Sequence, residues 1–136
     1  MPVKPDNSMA TSVLAIGLDP SCVDLSAHPE LTPQLVRAFI ETQLDRVRAM
    51  GYEVVSCLLN GQDSCEAMVA EQVKARGFDC VMIGAGLRDP GWVLLFERVI
   101  NVVHAEAPQA KICFNSTPAD TAEAVRRWVP EVKGRA

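Results

Sequence analysis

Nowhere in its 136 residues does the chain hold an apolar run near the roughly 18 residues that a membrane span requires. The opening residues MPVKPDNSMATS also lack the apolar core of a secretory signal, so the expected location is cytoplasmic. Aromatic residues are scarce, with one Tyr, two Trp and four Phe, and the core must therefore be aliphatic. No basic stripe is present: 13 Lys and Arg lie scattered among 17 Asp and Glu, for a net charge of -4. That balance speaks against a nucleic-acid partner, whose phosphates demand a basic surface.

The residues of catalysis and metal binding are equally thin. Cys22, Cys57, Cys65, Cys80 and Cys113 are an odd number, with neither a Cys-x-x-Cys pair nor a zinc spacing among them. They read as free thiols, and no metal site is expected. Cys22 stands apart, in a loop. Only His28 and His104 offer imidazoles, and no nucleophile, base and orienter accompany them. His28 lies in a long loop near Cys22, Asp24 and Glu30, where it serves either as a ligand-covering group or as a solvated loop residue. His104 shares a helical stripe with Glu97 and Asn101, most simply a solvent face. There is no Gly-x-x-x-x-Gly-Lys-Ser/Thr loop, which excludes P-loop hydrolysis. Gly84 and Gly86 meet two positions of Gly-x-Gly-x-x-Gly, but Asp89 takes the third and the motif follows the third strand, so a dinucleotide cofactor fits badly. Cofactor identity stays open.

What is present is a strict alternation of strand and helix. Runs at 13–19, 52–59, 78–83 and 111–114 read as strands, the first of them continuous and apolar enough to be buried on both faces. Helices follow each of them. Thr32 with Pro33 opens the first, and its apolar positions Val36, Phe39, Ile40, Leu44 and Val47 recur at helical spacing until Gly51 ends it. Asp63 with Glu66 reads as an acidic capping pair for the second helix, which ends at Gly77. Asp89-Pro90 opens the third, over 91–107, and Thr117 to Asp120 caps the fourth, reaching about residue 129. Residues 1–12 read as a flexible leader, 13–130 as one domain and 131–136 as a tail.

Four such units predict an α/β fold: a four-stranded parallel sheet with helices on both faces and the flavodoxin-like order 2-1-3-4. Winding then reverses between the first and third strands. The crevice at that switch point lies between the loop after Asp19 and the loop after Ile83. Asp19, Gly84, Gly86, Arg88, Asn115 and Ser116 converge there as candidate ligand-binding residues. The glycines permit close backbone approach, the turn at Asp89 offers helix N–H groups to an anion, and Arg88 adds a guanidinium fork. The structural alternative is that the glycines make a turn, Asp89 and Thr117 cap helices, and Arg88 is solvated.

The third helix carries more apolar surface than one sheet face needs, with Trp92, Val93, Leu95, Phe96, Val99, Ile100, Val102 and Val103 sweeping half its circumference. A homo-oligomer using Trp92, Phe96 and this helix, or the uncovered edge of the fourth strand, is therefore expected.

Segments 79–88 (DCVMIGAGLR), 100–104 (INVVH) and 110–125 (AKICFNSTPADTAEAV) resemble the signature of an uncharacterised family of small microbial α/β proteins, over about the last two thirds of the chain. The resemblance implies a shared fold and transfers no catalytic residue. A looser architectural similarity is to response-regulator receiver domains. Gly84 stands where their phosphoacceptor aspartate ends the third strand, Asp19 lacks its acidic neighbour, and the lysine after a fifth strand has no counterpart, although Ser116 or Thr117 matches the receiver hydroxyl. Two functions remain: a small-ligand or anion binder, with or without a reaction, and a phosphorylation-independent oligomerisation or partner-binding module.

Overall fold

Alternating parity along strand β1 (Ser12–Leu18) divides the molecule into two layers. Leu14, Ile16 and Leu18 face one side of the sheet and Val13 and Ala15 the other, all of them buried. The computed structural model describes residues 10–62 and 64–130. Of the expected leader and tail, 1–9 and 131–136 lie outside the described residues, and Ser12 already belongs to β1. Helix α1 (Pro33–Ala49) follows, then β2 (Glu53–Leu59), α2 (Cys65–Ala75), β3 (Cys80–Ile83), α3 (Val93–Glu106), β4 (Lys111–Phe114) and α4 (Thr121–Trp128).

The strands form one parallel sheet in the order β2-β1-β3-β4, the flavodoxin-like arrangement expected from the alternation. Helices cover both faces. Val69 and Val73 of α2 with Leu95, Val99 and Val103 of α3 pack on Leu14, Ile16, Val81 and Ile83. On the opposite face, Leu44 and Val47 of α1 with Ala122 and Val125 of α4 pack on Val13, Ala15, Cys80 and Met82. Burial of each large aliphatic side chain contributes about 1.5–3 kcal/mol, so both layers are needed to offset chain entropy.

Local chemistry explains where the helices begin and where expectation and structure part. Thr32 Oγ1 accepts the Leu35 N–H at 3.1 Å, Pro33 fills the first helical position, and Gly51 leaves α1 with a left-handed φ of 103°. Thr117 and Asp120 form the expected capping box, but it opens a 3₁₀ turn, Pro118–Asp120, and α4 starts only at Thr121. The cap expected from Asp63 falls outside the described residues; α2 begins after Ser64, whose side chain makes no capping bond, and ends at Ala75 instead of Gly77. Asp89-Pro90 does not open α3. Asp89 is held extended before the proline (φ -60°, ψ 146°), its side chain caps nothing, and two 3₁₀ turns, Ala85–Arg88 and Pro90–Trp92, precede the helix at Val93.

The expected surplus of α3 is partly spent inside the chain. The Trp92 ring lies over Gly61, whose φ of +78° keeps that turn free of a side chain, and Phe96 meets Phe114 with ring centroids 5.7 Å apart. Val93 and Leu94, 47% and 68% exposed, are what α3 leaves in solvent. The edge of β4 is blunted by exposed Lys111 and by the Arg127 guanidinium, which donates to the Phe114 carbonyl at 3.0 Å. All five cysteines are free, with the buried Cys80 and Cys113 sulfurs 3.5 Å apart in a shared thiol hydrogen bond that raises the Cys80 pKa.

Candidate ligand-binding site

Where β3 leaves the sheet, Gly84 continues as extended backbone (φ -73°, ψ 156°) and donates its N–H to the Ile16 carbonyl at 2.7 Å. A Cβ added at Gly84 would stand 3.4 Å from the Ile16 carbonyl oxygen and 3.6 Å from the Gly17 Cα; one added at Gly86 would stand 3.4 Å from the Leu18 Cβ. Neither glycine uses a left-handed conformation. Their function is close packing of the turn against β1, which places both at the carboxyl end of the first strand.

Asn115, just past β4, ties this turn to α4. Its Oδ1 accepts the Ala85 N–H at 2.9 Å and its Nδ2 donates to Thr121 Oγ1 at 3.0 Å, while the Thr121 hydroxyl donates to the Pro118 carbonyl at 2.7 Å. Arg88 turns inward instead of presenting a free fork. It donates to the carbonyls of Ile83 and Asn115 and stacks 5.3 Å above the Phe114 ring, clamping the ends of β3 and β4 together.

Asp19 and Ser116 are also committed to neighbours. The Asp19 carboxylate accepts the backbone N–H and hydroxyl of Ser21, and those bonds, with Arg37 at 2.7 Å, hold its pKa below the ordinary aspartate range. Ser116 donates its N–H and hydroxyl to Asp120. Burial alone would raise the Asp120 pKa, but the bonds from Ser116 and Thr117 outweigh it and keep the carboxyl low. Among the loop residues, His28 is exposed with Nδ1 3.8 Å from Glu30, and Cys22 is half-buried with its thiol on the Asn60 carbonyl at 3.3 Å.

Beside these groups lies a crevice of about 200 Å³ at the carboxyl ends of β1, β3 and β4. Gly84, Gly86 and Asn115 line it; Asp19, Arg88 and Ser116 do not. Further wall comes from Ile40 and Leu44 of α1 with Ala15, Met82 and Leu58 of the sheet, and from Val23, Ser56, Pro118 and Thr121. Sequence reasoning missed those residues. The available signal was the taper along one face of β1, Val13 to Ala15 to Gly17, repeated by Met82 to Gly84 on the line of β3. Side chains shrink toward the strand ends, and the space they vacate is the crevice.

Fold and crevice together define a doubly wound α/β domain with a formed cavity at its topological switch point, where open sheets of this kind hold ligands. No family model matches the chain, and no curated protein matches it. Among the described residues no helix is long and apolar enough to cross a membrane, and no cluster of His, Cys, Asp and Glu has the arrangement of a metal site.

Proposed function

We propose that this chain is a cytoplasmic small-ligand-binding domain whose site is the crevice beside Gly84, Gly86 and Asn115. The observation that carries the reading is the open crevice of about 200 Å³ at the strand ends, lined by α1 residues and by the turn after β3. A backbone fixed by the Asn115 bonds presents it preformed, so little ordering is required on binding. The same proposal keeps the chain beside the uncharacterised α/β proteins that its segments 79–88 and 110–125 resemble.

Ile40 is half-buried on α1 and lines the crevice, so the larger side chain of Ile40→Phe takes up space within it. Native mass spectrometry of gently purified protein is expected to show a small-molecule adduct on the wild-type chain that Ile40→Phe loses. An adduct retained in full by the variant places the site elsewhere, and a bare mass for both argues against an occupied crevice.

A second reading, self-association through α3, draws its support from Leu94 and Val93, large apolar side chains left in solvent. Leu94→Asp is expected to convert a dimer to a monomer in light scattering at micromolar concentration. A monomeric mass for the unmodified chain ends that reading.

A further inference from the structure

We infer that the ligand of this crevice is a neutral, compact molecule with an apolar body the size of one six-membered ring and a single hydroxyl or carbonyl group. The inference rests on the crevice being a ligand site and goes further by naming what fits.

Size sets the first bound. At about 200 Å³ the space exceeds the roughly 150 Å³ apolar cavity that admits benzene and falls short of the roughly 300 Å³ at which drug-sized pockets begin. A nucleotide or dinucleotide does not fit inside it. One ring, or a branched chain of five or six carbons, does.

The wall sets the second. Ala15, Ile40, Leu44, Leu58 and Met82 present hydrocarbon and a thioether, the latter a favourable neighbour for an aromatic ring. No charged side chain lines the crevice. Asp19, just beyond Leu18, and Arg37, one turn before Ile40, are paired with each other at 2.7 Å. A carboxylate, phosphate or ammonium entering here loses its water and meets no counter-charge, a cost that apolar contacts do not offset.

Hydrogen bonding sets the third. Asn115 and Thr121 are already bonded to Ala85, to Pro118 and to each other, and no buried side-chain polar atom among the described residues lacks a partner. Ser56 differs. It is an exposed residue of β2 that lines the crevice, and its hydroxyl makes no hydrogen bond to the described residues. One polar group on the ligand, held at the open edge, is what Ser56 matches, while the ring lies deeper against Met82 and Leu44.

Two-dimensional amide NMR with single-ring probes tests this. Benzyl alcohol is expected to shift the amides of Ala15, Gly84 and Ala85 with a dissociation constant of about 1 mM or below. Phenylacetate and benzylamine are expected to bind at least about tenfold more weakly, and inorganic phosphate to leave these amides unmoved. Ser56→Ala should weaken benzyl alcohol about threefold to tenfold while leaving fluorobenzene unchanged. If phenylacetate, benzylamine or phosphate shifts the same amides as strongly as benzyl alcohol, the ligand class is overturned and the crevice stands as a site. If no probe shifts them, or if Ile40→Phe binds benzyl alcohol as the wild type does, the crevice itself is not the site. Equal losses for benzyl alcohol and fluorobenzene in Ser56→Ala remove Ser56 from the proposal.

Discussion

Replacing Asn115 with leucine is expected to lower stability by about 2–4 kcal/mol, although the two side chains are of similar size. Asn115 is only 4% exposed, and its amide holds the Ala85 N–H on one side and Thr121 on the other. Leucine supplies neither bond. The Ala85 N–H then stays without an acceptor at a cost of about 1–3 kcal/mol, and loss of the bond to Thr121 adds about 1 kcal/mol. Thr121 itself is less affected, since its hydroxyl still donates to the Pro118 carbonyl. The urea midpoint should fall with little change in the slope of the transition. A loss below about 1 kcal/mol would mean that the Ala85 N–H finds water in the variant, and that the clamp is weaker than its geometry indicates.

A comparable loss is expected for Gly61→Ala, in the exposed turn after β2. The left-handed φ of +78° costs an alanine about 1–2 kcal/mol, and its Cβ would lie 2.7 Å from two carbons of the Trp92 ring. Relieving that overlap requires Trp92 to leave its place against the α2 and α3 layer, for about 1–3 kcal/mol more. The two contributions separate in a double-mutant cycle. In a Trp92→Ala background the same substitution should cost only the backbone share, about 1–2 kcal/mol. Identical costs in both backgrounds would show that the ring moves aside freely.

How much of this was legible in the sequence depends on the range over which each signal acts. Thr32-Pro33 and the box from Thr117 to Asp120 are local, and they appear at the expected residues. Strand order follows from alternation and handedness, which need no contact detail, and it too appears as expected. The polar candidates did not stay free because neighbours, some close in sequence and others far along the chain, occupy them. Arg88 reads as an available cation until the Ile83 and Asn115 carbonyls come beside it, and Asp19 reads as a lone carboxylate until α1 delivers Arg37 from 18 residues away. At Asp89-Pro90 the extended residue and the proline do begin a turn as expected, but Pro90–Trp92 is 3₁₀ and the α-helix follows only at Val93.

The taper of β1 has a consequence for how such a protein changes over time. Ala15 and Gly17 line the crevice from one face of β1, beside Ile16 and Leu18, whose side chains anchor the opposite layer. The positions at which this strand shapes the chamber, Ala15 and Gly17, thus lie outside the set of side chains that hold the α2 and α3 layer. A mutation at Ala15 or Gly17 reshapes the chamber while leaving the α2 and α3 layer intact, so new molecules can be accommodated without rebuilding the scaffold.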